Sequence, residues 1–290
     1  MEPLIVERIL EAPVELIWRC ITTREDMHRW FFELEEFKPE VGFKFDFTVE
    51  HQGMKYCHLC RVTEVIPKKK LAFTWRYDGH QGDSLVTMEL LPEGRKTKLK
   101  LTHEGLETFP QTPQFPRKNF ENGWNFITTA LKDYVENADK EIYITREFDA
   151  PRELLWEAMT NPKHVVNWWG PVGFTTTIEE MDFRVGGTWK HVMRAPDGAE
   201  YPNQSVFKEI VKPEKIVYQH AGHKKGGPEI SFVSTWSFEE LGKNKSRVSI
   251  RMIFPETEKR DFVVKEFGAI EGGKQTLGRM AEYVAAMAQN

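Results

Sequence analysis

From Phe43 to Glu50 the chain alternates without a fault, with Phe43, Phe45, Phe47 and Val49 on one parity and Lys44, Asp46, Thr48 and Glu50 on the other. A period of two is that of an antiparallel strand with one face in a core and the other in water. Strand-like runs also fall at 4–11, 55–65, 71–77, 85–91 and 97–103. Turn residues separate several of them: Pro67 beside three lysines, Asp78-Gly79, and Pro92-Glu93-Gly94. Helical spacing takes over at Val14–Ile21, behind Pro13, whose missing N–H suits the first position of a helix. A second short helix is predicted at 25–30, and a long one from about 117 to 137. The long helix carries a stripe of Phe120, Trp124, Ile127, Leu131, Tyr134 and Val135 at spacings of three and four.

The second half of the chain repeats the first. IVERILEAPVELIW at 5–18 answers YITREFDAPRELLW at 143–156, which sets Ala12-Pro13 on Ala150-Pro151, Trp18 on Trp156, Thr22 on Thr160 and Trp30 on Trp168. With a short insertion in the second copy, Val41-Gly42 meets Val185-Gly186. Further on, Gly94 meets Gly242, Gly123 meets Gly272, and Tyr134 meets Tyr283. A unit of roughly 140 residues is far longer than a solenoid repeat, so each copy is expected to be a whole domain. The join near Asn137–Glu141 predicts domains at 1–138 and 139–290. Strands in the second copy are predicted at 142–149, 174–183, 188–194, 204–211, 215–220, 230–239 and 246–254. One last helix is predicted to carry Val263, Phe267, Ile270, Leu277, Met280, Val284 and Met287 on a single face. The class is therefore α+β, an antiparallel sheet with one apolar face that only the long helix is large enough to cover.

Composition narrows the setting. The 290 residues hold 40 basic and 44 acidic side chains, a net charge of −4, which makes no electrostatic case for a nucleic-acid partner. No apolar run approaches the roughly 20 residues of a membrane span, and charges interrupt the start of the chain where a secretory signal would be apolar. Three cysteines are too few and too odd for a disulfide framework. The expected setting is the cytoplasm.

The second copy carries the string ITREFDAPRELLWEAMTNPKHVVNWWGP, then DFRVGGTWKHVM, an APDG turn and KEIVKPEKIVY. Together these resemble the activator-of-heat-shock-protein-ATPase homologue group of the START-like (SRPBCC) superfamily. The first copy is similar through EAPVELIW, TTREDMHRWF and VTEVIPKKKLAFTW, but lacks the Trp-Trp-Gly-Pro segment and the double glycine of Gly186-Gly187. The resemblance implies two helix-grip domains of the birch-pollen-allergen type, each with a cavity between sheet and long helix. It also implies a link to the stress response, although the superfamily spans carriers, receptors, cyclases and co-chaperones.

Candidate chemistry is sparse. Cys57 and Cys60, three apart on a strand, are expected on opposite faces, with His58 sharing a face with neither; no second pair completes a zinc site. His220 and His223 read as an exposed pair at a turn. No metal, cofactor or nucleophile motif is present, and no residue is singled out as catalytic. The lysines at 68, 69, 70, 96, 98 and 100 form a stripe that is either a solvated sheet face or a protein-docking face. Trp168-Trp169-Gly170-Pro171 either closes one end of the cavity or anchors the core. Gly273, inside the last helix's stripe, leaves space where the first copy has Trp124. An open cavity in the second domain and a filled one in the first are expected.

The leading reading is non-enzymatic binding of a small hydrophobic or amphipathic ligand in the second domain. The expected lining is Trp168 after the second short helix, Trp189, His191, Met193, Tyr218, His220, Trp236 and Met252 on the sheet, and Gly273 and Leu277 on the last helix. His191, alternating with Trp189 and Met193, is either an acid–base group or a hydrogen-bonded wall residue. A co-chaperone-like interaction module is the alternative, though the full-length activators' separate N-terminal domain has no counterpart here. A cyclase or hydrolase comes last.

Overall fold

The corner between the first strand and the first helix is built twice from the same parts. In the computed structural model, which describes residues 2–51 and 53–288, β1 (Leu4–Leu10) leads into α1 (Val14–Thr22) and β7 (Glu141–Phe148) into α4 (Arg152–Thr160). Pro13 and Pro151 hold φ near −69° and −67° one position ahead of each helix, so proline occupies the cap rather than the first turn. A buried hydroxyl pins each corner: Thr97 donates to the Ala12 carbonyl at 3.0 Å and Ser246 to that of Ala150 at 2.9 Å. The aligned tryptophans also share one job. Trp30 Nε1 donates to the Cys20 carbonyl at 2.9 Å, and Trp168 Nε1 to the Ala158 carbonyl at 3.1 Å.

The chain divides between Ala138 and Asp139. In the first unit α2 (Arg24–Met27) precedes β2 (Lys44–His51), β3 (Met54–Ile66), β4 (Lys70–Tyr77), β5 (Ser84–Glu93) and β6 (Lys96–Glu104), and α3 (Arg117–Asn137) closes it. These strands form an antiparallel sheet in the order β1-β6-β5-β4-β3-β2. In the second unit follow α5 (Pro162–Trp168), β8 (Thr175–Met181), β9 (Thr188–Arg194), β10 (Glu200–Val211), β11 (Lys215–Gly222), β12 (Ile230–Gly242) and β13 (Lys245–Ile253). Its sheet order is β7-β13-β12-β11-β10-β9-β8. Each unit is an α+β helix-grip domain, with the core between the inner sheet face and the long helix. All six apolar stripe residues of α3 are buried. Gly42 and Gly186, at φ 93° and 80°, donate to the carbonyls of Val62 and Phe207, both at 2.8 Å, beside the bulge in each sheet.

Two expectations change. The last helix is two helices, α6 (Thr257–Phe267) and α7 (Ala269–Met287), because Gly268 adopts φ 57° and ends α6 with its amide on the Val264 carbonyl. Val263 and Phe267 thus belong to a separate short helix, and Ile270 is exposed rather than buried. His58 and Cys60, two apart on β3, share the inner face; both are buried, while Cys57 on the other parity is only half-buried. The lysine stripe is a paired outer face: Lys70 meets Glu64 at 2.7 Å, Lys96 meets Glu11 at 2.7 Å and Lys98 meets Glu7 at 2.9 Å. Among the described residues no helix is long and apolar enough to cross a membrane.

Candidate functional site

In the second domain, a cavity of about 360 Å³ lies between the sheet and α6–α7. Its sheet wall follows from register. His191 on β9 pairs with Asn203 on β10, which pairs with Gly222 on β11 and so reaches Ile230 on β12. One row over, Ser205 pairs with His220 and His220 with Phe232, and beyond them Tyr218 pairs with Ser234 and Ser234 with Met252. Inward parity therefore brings imidazole, amide and hydroxyl groups into a wall otherwise made of Trp236, Phe232, Met193, Met252 and Ile250.

Each polar group is held in a defined state. The Trp169 indole N–H donates to His191 Nε2 at 3.1 Å, so the imidazole proton sits on Nδ1, which has no partner among the described residues. Burial, with His220 nearby, pushes the His191 pKa down to about 3 and keeps the ring neutral. His220 shares a hydrogen bond with Ser205 Oγ through Nδ1 at 3.2 Å and stacks on Phe232 with ring centres 4.5 Å apart; burial lowers its pKa to about 4. Tyr218 accepts from Trp236 Nε1 at 3.1 Å, and burial raises the phenol to about 12. Gly222 has no side chain for a reason: a Cβ there would lie 2.4 Å from Asn203 Oδ1 and 2.9 Å from His220 Nε2.

The helical side is set by two contacts. Gly273 lets α7 approach β7 so closely that a Cβ would stand 2.3 Å from Ile144 Cδ1. Arg279, two residues after Leu277 on α7, gathers backbone rather than a carboxylate. Its guanidinium donates to the carbonyls of Gly170 and Pro171 at 3.0 Å, Phe174 at 3.1 Å and Asn167 at 3.2 Å. That grip holds the Trp169-Gly170-Pro171 segment against the cavity. Exposed Lys224 and Glu266 stand in the wall where it meets solvent.

Of the residues expected to line the site, the structure places His191, Met193, Tyr218, His220, Trp236, Met252 and Gly273 around the cavity. Trp168, Trp189 and Leu277 lie in the core instead. Trp168 is tied into α4 by its bond to Ala158, Trp189 is covered by Trp169 with ring centres 4.6 Å apart, and Leu277 packs a turn past the glycine. The Trp-Trp pair thus does both jobs, one indole in the core and the next in the cavity wall. His220 and His223 are not an exposed loop pair; both line the cavity and both are half-buried. Tyr201 and Asn203 went unread because Pro202 looks like a strand break, yet β10 runs through it and pairs Pro202 with Val192. Phe232 and Ser234 share Trp236's parity, a signal that was available.

The first domain is not filled. It holds a cavity of about 320 Å³, close in size to the other. Trp124 does not project across the space but lies on the sheet wall, its indole donating to His103 Nδ1 at 2.9 Å with Trp75 5.0 Å away. In the second domain, Ile144 takes up the room that Gly273 vacates. Size differences between the aligned residues therefore cancel.

Chemically, the second cavity offers neutral hydrogen-bonding groups within an apolar shell. Among the described residues no cluster of three or more His, Cys, Asp or Glu side chains is placed to hold a metal ion.

A family model described as Activator of Hsp90 ATPase homolog 1-like protein matches the chain twice, over residues 11–136 and 149–285. No curated protein matches it. Among solved structures the chain is similar to a protein from Arthrobacter aurescens, at 24% identity over 51% of this chain and 88% of that one, TM-score 0.48. It is similar to protein Ms6760 from Mycobacterium smegmatis at 21% identity, over 52% and 94%, TM-score 0.47. It is also similar to the di-domain ARO/CYC BexL of the BE-7585A biosynthetic pathway at 16% identity, over 98% and 99%, TM-score 0.44.

Proposed function

The chain belongs to the Activator of Hsp90 ATPase homolog 1-like family through both of its domains, and from that premise we propose that it is a binding protein whose second domain takes up a small amphipathic molecule without transforming it. The observation that carries this reading is the division of the second cavity's wall. Trp236, Phe232 and Met252 of the sheet and Phe267 of α6 present apolar surface, and Asn203, His191, His220 and Ser234 on the same sheet present polar groups among them. Burial of an apolar body against the first group contributes about 25 cal/mol per Å², and the second group orients a polar end.

Charge decides what that end is. The imidazoles of His191 and His220 are neutral at physiological pH, and the phenol of Tyr218 keeps its proton. A hydroxyl or carbonyl finds hydrogen bonds among these neutral groups, while the charged side chains of the wall, Lys224 and Glu266, are exposed where it meets solvent. The same shifts argue against acid–base turnover by His191 or His220, since such a role is best served by a group whose pKa lies near the operating pH.

The test is native mass spectrometry of gently purified full-length protein, followed by titration with decanol, an uncharged hydroxyl on an apolar chain. A retained small-molecule adduct, and decanol binding that is lost in Ala269→Phe, support the reading, since Ala269 lines the cavity. A bare mass together with no response to decanol overturns it.

A second reading, contact with a chaperone ATPase, is supported by the family description and by one feature of the first domain. Phe126 on α3 is 75% exposed, an unusual position for a phenylalanine in a helix whose other aromatics are buried. Capture of a purified chaperone ATPase by wild type but not by Phe126→Ser supports it; equal capture, or none, removes it.

A further inference from the structure

The cavity of the first domain has a chemistry of its own. Half of its wall is Phe, Tyr or Trp, and among the described residues that line it none is charged. Its other polar side chains are the amides of Gln114, Asn119 and Asn122 and the imidazole of His58. The second-domain wall, by contrast, carries Lys224, Glu266 and three histidines.

The rings are set at angles that present both faces and edges. Tyr77 meets Phe115 with centres 5.1 Å apart and tilted by 48°, and meets Phe120 edge-on at 6.4 Å. Tyr56 stands edge-on to Tyr77 at 6.1 Å, and Trp75 is tilted against Trp124. Such a wall suits another π-system, which gains from edge-to-face and offset contacts beyond its buried area. A volume of about 320 Å³ falls at the small end of ligand sites, with room for a molecule of two fused rings.

We infer that this cavity is a second binding site, selective for an uncharged, flat aromatic molecule that carries a hydrogen-bond acceptor. It goes beyond the reading given for the second domain and does not rest on it. The exclusion of ions follows from the wall: an ion entering would lose its hydration with no opposite charge to meet. His58 supplies none, because burial lowers its pKa to about 4. The acceptor follows from two wall residues, since Trp75 Nε1 and His58 Nδ1 are buried with no partner among the described residues. A tryptophan N–H can only donate, so an acceptor on the ligand would satisfy a group that is otherwise left unpaired.

One wall position makes the site testable. Gly123 lies inside α3 with ordinary helical geometry, and a Cβ built there meets nothing within 4 Å. A side chain is therefore accommodated at its Cβ, a larger one takes up space at a position that lines the cavity, and it replaces a poor helix former.

The experiment is calorimetric titration of the full-length protein with quinoline, which is flat, neutral at pH 7 and has an acceptor nitrogen. Quinaldate, the same ring bearing a carboxylate, is the charged counterpart. Quinoline is expected to bind wild type, with affinity reduced about tenfold or more in Gly123→Leu and changed less than about twofold in Ala269→Phe. Quinaldate is expected to bind about tenfold more weakly than quinoline. Absence of quinoline binding, unchanged binding in Gly123→Leu, or equal binding of quinaldate overturns the inference. Should Gly123→Leu fail to fold, the indole N–H resonances of wild type decide the matter. Quinoline should move those of Trp75 and Trp124 ahead of those of Trp169 and Trp236, and the reverse order overturns the inference. A null result with decanol leaves this outcome untouched, because that probe reads the other cavity.

Discussion

The Trp169 indole N–H is bonded to Nε2 of the buried His191 at 3.1 Å, and the first domain contains the same relationship between other elements, with Trp124 donating to His103 at 2.9 Å. In one domain the indole comes from the segment after α5, in the other from the long helix. Both bonds serve a buried imidazole on the inner face of the sheet.

Trp169→Phe keeps an aromatic ring beside Trp189 and Trp236 but removes the donor. His191 Nε2 then loses the hydrogen bond it has among the described residues, and an unsatisfied buried group costs about 1–3 kcal/mol. Urea denaturation of the second domain should show a loss of that size. A change below about 0.5 kcal/mol, small against the cost of an orphaned polar atom, would mean that the ring finds another partner.

Stability should fall as the solution is acidified below neutrality. Burial holds His58 and His220 at about 4 and His103 and His191 at about 3, against an ordinary value of 6.5. Below 6.5 the unfolded chain takes up protons that the folded chain refuses, so the stability present above 6.5 is lost as pH drops towards these folded values. Each histidine contributes up to about 1.4 kcal/mol per pH unit in that interval. Glu15, Glu147 and Glu200, whose carboxyls are held below 4.5, act lower in the range. The upper part of the window, above 4.5, thus reports the histidines. Urea midpoints at pH 7, 6 and 5 should decline, and less steeply in His220→Gln; a flat profile is the contrary result.

What could be read before the structure depended on how local each feature is. The strand at Lys44–His51 and the helix at Arg117–Asn137 are written in unbroken periods of two and of three to four, and both formed as read. The break in the last helix was invisible because Gly268, Gly272, Gly273 and Gly278 look alike in sequence, and only Gly268 takes a positive φ. Tyr201 and Asn203 were hidden behind Pro202. The cavity sizes could not be read at all. They depend on Ile144 leaning into the place that Gly273 leaves, and on Trp124 packing against Trp75 of β4 and bonding to His103 of β6, which are contacts between residues far apart in the chain.

Gly273 and Ile144 should therefore be energetically coupled. A methyl group added at 273 displaces Ile144 Cδ1, while the same substitution gains about 1 kcal/mol of helix propensity. Ile144→Val removes the displaced carbon, so it should cost less in Gly273→Ala than in wild type, with a coupling of about 0.5 kcal/mol or more. A double-mutant cycle by urea denaturation measures this directly, and strict additivity would contradict the close approach.

Arg279 has its own consequence. Lysine keeps the charge but cannot span carbonyls spread from Asn167 to Phe174. Arg279→Lys should loosen that segment, raising the hydrogen-exchange rates of its amides and lowering stability by about 1–3 kcal/mol. It should also weaken decanol binding, since Trp169 and Pro171 line the cavity. Unchanged exchange in the segment would show that the guanidinium follows the loop rather than holding it.

The aligned glycines of the two long helices should respond differently to alanine. At Gly123 the new methyl group meets open space, so the substitution should stabilise the first domain by about 0.5–1 kcal/mol through the conformational freedom that glycine no longer adds to the unfolded chain. At Gly272 the methyl group would stand 3.3 Å from Pro171 Cγ, in the segment that Arg279 grips, so the neighbour must give way by a few tenths of an ångström. The propensity gain is then offset, and Gly272→Ala should lie near zero. Parallel urea titrations rank the two. If Gly272→Ala proves the more stabilising, the segment carrying Pro171 yields more readily than its five carbonyl contacts to Arg279 indicate.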